Sequence, residues 1–375
     1  MNRRALAIVC GGNQLLFAAQ VKHTLFADIP MDMAYLDIDI SEEAAGQLFD
    51  GVYKIRSNVA PPKSKALRCF VFPKYAIKKF YAEIEPGDYT DLFFYGPTWL
   101  YYFLYKYSVY SRHKYDWHLL PEGAGAYLVT NPQFPLKDYG NRLVYRWLQI
   151  IDKLIFGYSK KNSELIRDVY LIHPECSLTD NSVPKISVPA FDRDEVKYMS
   201  IINSMLKYER TVIDHKVIII DGALDRSRKD FYDMEKMDEL IVKIGNRVGK
   251  EKVLLKRKHG VGFDQYSERI KQNVSFFTNE DMPWELLCIN GDIKDCVIIS
   301  VPSSAIVLPY VFCGFDLTTY RIKDKCIPFY FPHEIFIKSE QFYDRVVGQV
   351  DNYRYIENLE DVDEILEYGI CTGLF

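Results

Sequence analysis

No Cys-x-x-Cys pair occurs among the eight cysteines of this 375-residue chain. The usual spacing of a structural zinc site is therefore missing. Most of the cysteines lie in apolar runs, as Cys10 does after Ala5-Leu6-Ala7-Ile8-Val9, and read as buried free thiols of a reducing compartment. No uninterrupted apolar run reaches the roughly 20 residues that span a bilayer. The basic start Met1-Asn2-Arg3-Arg4 is followed by a short apolar run that meets Gly11-Gly12 without a small-residue cleavage site, unlike a signal peptide. The expectation is a cytoplasmic protein, with peripheral attachment at the inner membrane left open. A large excess of charge of one sign is missing too. A net charge of -4 gives no general pull toward nucleic acid, and no nucleic-acid partner is expected. Internal repeats and low-complexity segments are also missing.

What is present is an ordinary globular balance, 48% hydrophobic and 26% charged, in a chain long enough for two domains. Residues 5–10 form an apolar run. Gly11-Gly12-Asn13 follows, then a helical pattern from Gln14 to about Lys22. This is a strand, a glycine turn and a helix, the opening of a Rossmann-like half. The turn is not a full Gly-x-Gly-x-x-Gly, so no dinucleotide fingerprint is supported, although its glycines let a ligand come close. Strands are expected at 33–40, 91–96, 116–120 and 169–174, with an aromatic helix over 99–110. Asp37 and Asp39 alternate on the second strand. They read as a polar strand face or helix cap, with metal binding as the minor alternative. Residues 141–161 are amphipathic and basic at both ends. They suit a helix docking on a partner subunit in a homodimer or on a membrane surface, but a buried helix with a polar rim is the favoured reading.

A linker is expected over about 180–212. After it the alternation restarts: a strand over 216–220 ending in Asp221-Gly222, a helix to Val248, then a strand from 252 running into Lys256-Arg257-Lys258-His259. A short strand at 273–277 leads to Pro283-Trp284-Glu285 at a helix start. The strand at 296–301 meets Pro302-Ser303-Ser304 before another helix, and the tail from about Asn358 is helical. Strands alternating with helices twice over predict an α/β fold with two Rossmann-like domains facing a cleft. The boundaries fall at 1–195, 196–345 and a helical tail at 346–375.

Ligands of such sheets sit at the C-terminal ends of strands. Leu119-Leu120-Pro121-Glu122-Gly123 delivers Glu122 to one such end, where a carboxylate can act as general base. Lys256, His259 and the Ser303-Ser304 pair stand at two others. Cations and a helix-capping hydroxyl pair suit a phosphate. Taken singly, each is also an ordinary turn, solvated loop or N-cap.

On these residues the chain resembles the bacterial sialyltransferases of the lipooligosaccharide type, glycosyltransferase family 52, with kinship to the bacterial polysialyltransferases. Those families carry an acidic motif, a His-Pro motif and a Ser/Thr pair in that order. Pro121-Glu122-Gly123 with its Gly-Ala-Gly-Ala-Tyr context is similar to the first, and Ser303-Ser304 to the last. Asn13-Gln14-Leu15-Leu16 and Pro283-Trp284-Glu285 are similar to further landmarks. Two departures stand out. Pro121 replaces the first acid, which leaves Glu122 alone. His259 is followed by Gly260, whereas the literal His173-Pro174 lies ahead of the linker, so His173 competes with His259 for the donor-phosphate role.

The resemblance implies a GT-B type glycosyltransferase that moves sialic acid from CMP-sialic acid to a terminal sugar of a surface glycan, lipooligosaccharide or capsule. Transfer would invert the anomeric centre and need neither metal nor bound cofactor. Glu122 would be the base and His259 would attend the leaving phosphate. Gly11, Gly12, Asn13, Gly123, Lys256, Pro283, Glu285, Ser303 and Ser304 would bind the nucleotide sugar and the glycan acceptor. The alternatives are the same fold using another nucleotide sugar, or a non-catalytic scaffold subunit.

Overall fold

The computed structural model describes residues 3–36, 38–55, 74, 77–78, 83–95, 99–121, 123, 125–128, 166–179, 183–222, 232–257, 261–279, 282–314, 317–330, 333–347 and 353–371. The chain forms two compact units. One comprises Met1–Pro189 with Asp194–Tyr208, the other Ala190–Arg193 with Glu209–Phe375.

The first unit is built on seven strands among the described residues: β1 (Ala5–Val9), β2 (Met31–Tyr35), β3 (Gly51–Lys54), β4 (Asp91–Phe94), β5 (Asp116–Leu119), β6 (Ile166–Leu171) and β7 (Lys185–Ser187). They lie in the order β3-β2-β1-β4-β5-β6-β7, and every pairing is parallel. Parallel sheets are covered on both faces, which is why β1 reads as an unbroken apolar run and every one of its residues is buried. Helix α1 (Gly12–Thr24) is buried from Gln14 to Lys22. Its one buried cation is placed at the end of the helix, where the Lys22 ammonium donates to the carbonyls of Phe26, Ala27 and Ile29. The remaining described helices of this unit are α2 (Glu42–Ala45), α3 (Trp99–Ser111), α4 (Gly125–Leu128) and α5 (Val196–Met205).

At and near the N-terminal edge of this sheet, buried charges are paired. His118 lies 1% exposed between two carboxylates, Nδ1 2.5 Å from Asp168 and Nε2 3.0 Å from Asp91. Arg3 reaches Asp91 at 2.8 Å, and Phe93 stacks on the imidazole with centroids 4.5 Å apart. Asp32 is held in the same way by Arg4 at 2.8 Å and by the Tyr89 hydroxyl at 2.7 Å. Burial alone would discharge His118, but its two carboxylates raise its pKa above the ordinary value.

The second unit has six described strands: β8 (Val217–Ile220), β9 (Val253–Lys256), β10 (Ser275–Phe276), β11 (Val297–Ser300), β12 (Thr319–Ile322) and β13 (Tyr353–Ile356). Their order is β10-β9-β8-β11-β12-β13, again parallel throughout. Its helices are α6 (Met234–Val248), α7 (Glu268–Asn273), α8 (Trp284–Asn290), α9 (Ser304–Cys313), α10 (His333–Val347) and α11 (Leu359–Cys371). Asp233 caps α6 by accepting from Lys236 N–H at 3.2 Å. The buried Met237, Leu240, Ile241 and Ile244 of α6 follow the helical period and meet Val217, Ile219, Val253 and Leu255 in one core.

Counted from the first strand of each unit, the second sheet runs 3-2-1-4-5-6, the doubly wound Rossmann order, and the first runs the same with a seventh strand added at the edge. The expected α/β class with two Rossmann-like domains is what the structure shows.

Three details differ from the sequence-based expectations. The chain does not cross once at 195/196. Residues 190–193 join the second unit and α5 belongs to the first. Phe191 packs on Phe312, and Arg193 donates to the Cys288 carbonyl at 2.8 Å, which fixes those four residues there. The tail after 345 is not only helical, because β13 is the edge strand of the second sheet. Finally, β2 ends at Tyr35, so Asp39 lies outside the strand, exposed and ion-paired with Lys207. Asp37 lies outside the described residues.

Among the described residues no helix is long and apolar enough to cross a membrane. The expected 141–161 helix lies outside them.

Candidate functional site

In a doubly wound sheet the strand order reverses at one place, and strand ends part there to leave a crevice. In the second unit the reversal lies between β8 and β11. Lys256, Ile220, Ser300 and Arg321 stand level on four adjacent strands, so their side chains emerge on one face. The Ser300 hydroxyl donates to the Ile220 carbonyl at 3.0 Å and holds β11 to β8 at this level. Arg321, fully buried, is paired with Glu340 of α10 and lies 4.2 Å from the Tyr343 ring centroid.

Lys256 is different. Its ammonium lies 5.5 Å from the Trp284 ring centroid and makes no hydrogen bond or ion pair among the described residues. Desolvation lowers its pKa, with partial opposition from the buried Glu285 carboxylate.

Trp284 is the hinge of the arrangement. Its indole N–H donates to the Ala305 carbonyl at 2.9 Å, in the first turn of α9. Ser303 is the N-cap of that helix, and its hydroxyl accepts from Ala305 N–H at 3.3 Å. One ring therefore joins the Lys256 cation to the N-terminal turn of a ten-residue helix, where backbone N–H groups and the helix dipole favour an anion. Pro283 is the N-cap of α8 rather than within its first turn, and Glu285 sits in that turn. Ser304 opens α9, with no hydrogen-bond partner for its hydroxyl among the described residues.

On the other face of the same sheet edge stands Asp221, a residue the sequence did not single out beyond its strand-end position. It is 1% exposed and accepts from the Tyr232 hydroxyl and, at 2.7 Å, from the Tyr266 hydroxyl. Its own N–H donates to the Lys256 carbonyl at 2.9 Å. Asp221 thus fixes the chain that leaves β8 against the last residue of β9. His259 lies outside the described residues.

In the first unit the reversal lies between β1 and β4. Gly11 stands in the turn from β1 into α1, and Gly12 and Asn13 are the first two residues of that helix. Gly11 is an extended N-cap with no side chain to cap the helix, and a Cβ there would meet nothing within 4 Å. Cys10 N–H is instead taken by the Gln14 side chain at 2.6 Å.

Two strands along, the acidic motif leaves β5. Leu120 N–H donates to the Phe94 carbonyl, Gly123 adopts φ +67°, and α4 begins at Gly125. A Cβ on Gly125 would come within 2.7 Å of the Tyr95 hydroxyl, just after β4, so a larger residue there would push the end of that side chain aside. On its other side α4 is tied to the chain leaving β6. The Tyr127 hydroxyl donates to the Ile172 carbonyl at 2.5 Å, and Leu178 N–H donates back to the Tyr127 carbonyl at 2.7 Å. The motif is held between the ends of the two neighbouring strands. Glu122 itself lies outside the described residues.

The structure therefore places Lys256, Pro283, Glu285, Ser303 and Ser304 together in the second unit, and Gly11, Gly12, Asn13 and Gly123 at the corresponding edge of the first. No cluster of three or more His, Cys, Asp or Glu side chains that could hold a metal ion occurs among the described residues.

The sequence matches no protein-family model and no curated protein. Solved structures show a distant likeness over nearly the whole chain. A sialyltransferase from Photobacterium damsela is 12% identical with a TM-score of 0.48, covering 94% of this chain and 81% of its own. A UDP-GlcNAc 2-epimerase from Neisseria meningitidis is 10% identical with a TM-score of 0.46, covering 97% and 92%. The ADP-heptose LPS heptosyltransferase II of E. coli is 9% identical with a TM-score of 0.40, covering 98% and 99%. Those proteins differ in the reactions their names state, so function has to be argued from the site.

Proposed function

We propose that this chain is a glycosyltransferase that moves sialic acid from CMP-sialic acid to a terminal sugar hydroxyl of a bacterial surface glycan, with inversion and without a metal. The observation that carries the reading is the Lys256–Trp284–Ala305 link. It joins a half-buried ammonium at the end of β9, through one indole ring, to the N-terminal turn of α9, which follows β11 at the reversal of a Rossmann sheet. A ligand with a single phosphate fits that set. One cation, the backbone N–H groups of a helix start and the Ser303-Ser304 hydroxyls stabilise one departing phosphate without a divalent ion.

In this mechanism the acceptor hydroxyl attacks the anomeric carbon of the donor as its bond to the CMP phosphate breaks, through an oxocarbenium-like transition state. Glu122, delivered by the turn after β5, takes the acceptor proton. His259, three residues beyond Lys256, hydrogen-bonds the leaving phosphate. Asp221 holds the ends of β8 and β9 in place beneath that chemistry.

Incubation with CMP-sialic acid and a panel of galactosides in excess chelator tests the reading. CMP release coupled to a sialylated product is the expected result, and no turnover would sink it. Glu122→Gln should lower kcat by about 10²–10⁴ while CMP affinity stays the same.

A further inference from the structure

His173 and Glu175 form a pair of titratable side chains that the donor chemistry does not use. His173 follows β6, the strand next to the one that delivers the acidic motif, at the same C-terminal edge of the first sheet. Ile172, immediately before it, accepts the Tyr127 hydroxyl of α4, so the histidine is fixed relative to that motif.

Its backbone is strained. With φ 55° and ψ 61° it occupies the left-handed region, uncommon for a residue with a side chain, and it does so directly ahead of Pro174. Strain of this kind persists where the surroundings over-determine it, and it clusters at functional sites. The side chain is oriented as well. Nδ1 lies 2.8 Å from the Glu175 carboxylate, which is held ionised. Burial works against that charge, and the residue's own backbone N–H and the imidazole outweigh it. In the neutral imidazole, a carboxylate on Nδ1 takes the N–H hydrogen bond and leaves Nε2 as the acceptor. Nε2 has no hydrogen-bond partner among the described residues, and the side chain is 43% exposed.

The neighbouring carboxylate decides what such a group can bind. A phosphate at Nε2 would meet the charge of Glu175, whereas a neutral O–H donor would not. We infer that His173, oriented by Glu175, is an acceptor-binding residue whose Nε2 receives a hydroxyl of the sugar to be modified. The assignment rests on the transferase reading for the sugar's role as acceptor, and it leaves the donor phosphate to the second unit.

Lactose and CMP, titrated separately into the full chain by calorimetry, test it. His173→Gly takes the left-handed conformation without strain and removes the imidazole, so folding is safe. His173→Asn tolerates that conformation and keeps a side-chain acceptor. Lactose affinity should fall at least tenfold in the glycine variant and less in the asparagine variant, with CMP affinity unchanged in both. Equal lactose affinity in wild type and His173→Gly, no lactose binding by the wild type, or a loss confined to CMP would each overturn the assignment. Lactose binding that depends on His173, with no turnover of CMP-sialic acid, would instead retain the sugar site and reject the transferase.

Discussion

His118 is a buried cation and Lys256 a half-buried one, and their surroundings treat them in opposite ways. His118 has a carboxylate on each ring nitrogen, and its charged form is favoured. Lys256 has an indole face and a nearby carboxylate but no hydrogen bond among the described residues, and its charged form is disfavoured. Desolvation pushes both in the same direction, and the hydrogen-bonded partners set the sign. A satisfied buried charge is part of the frame. An unsatisfied one at a strand end suits an anion, and under the proposed function that difference separates stability from ligand binding.

The most severe test removes the satisfied cation. His118→Ala leaves Asp91 and Asp168 buried without their shared partner and should cost about 3–5 kcal/mol in urea unfolding of the first unit. Lys256→Met should change stability far less, about 1 kcal/mol or under. No hydrogen bond is lost, and the desolvation cost of the ammonium disappears. Comparable losses in the two variants would show that Lys256 is structural and would end the comparison.

Ligand affinity should invert that ranking. Lys256→Met removes a charge-assisted contact to the CMP phosphate worth about 1.5–3 kcal/mol, so calorimetry should report a roughly 10- to 100-fold weaker CMP complex. His118→Gln should bind CMP as the wild type does, because its partners lie wholly in the first unit.

The pH dependence of stability sharpens the comparison further. The folded pKa of His118 is raised, so its stabilisation is complete below the ordinary value of 6.5 and is lost as pH rises through the folded value. The folded pKa of Asp91 is depressed. Burial opposes that shift, and hydrogen bonds from His118 and Arg3 outweigh it, so its contribution is complete above 3.8 and is lost as pH falls. The network therefore contributes fully between these values. Above 6.5 its loss should reach about 1.4 kcal/mol per pH unit in wild type. His118→Gln should flatten that alkaline limb, and Lys256→Met should not.

How much of this was legible in the sequence follows the same division. β1, β8 and β11 were readable because both faces of a parallel strand are buried and the run is unbroken. β12 escaped notice because Arg321 interrupts its apolar pattern, and only Glu340 and Tyr343, on a later helix, make that residue acceptable. β3 and β7 are short and largely unburied, so they carry little pattern at all. Lys256 and Ser303 could be named in advance because a strand end and a helix cap are local features. The roles of His118, Trp284 and Asp221 could not, because each is defined by partners brought near only by folding. The clamp on the acidic motif is of the same kind. Its glycines were visible, but the Tyr95 hydroxyl that comes close to Gly125 was not.

Ser303 is where the two kinds of use meet, and the expected stability changes there are small. Its hydroxyl accepts from Ala305 N–H, a capping bond worth about 1 kcal/mol. If capping is its whole role, Ser303→Ala should lose that stability and bind CMP as before. In the phosphate site, the same change should also weaken CMP several-fold. Ser303→Asp separates the two directly. An aspartate caps as well as serine does, so the unfolding midpoint should hold, while its negative charge at the N-terminus of α9 repels a phosphate. We expect stability within about 0.5 kcal/mol of wild type and no measurable CMP binding. A stable Ser303→Asp variant that still binds CMP would move the anion away from α9 and leave Lys256 without the partner assigned to it.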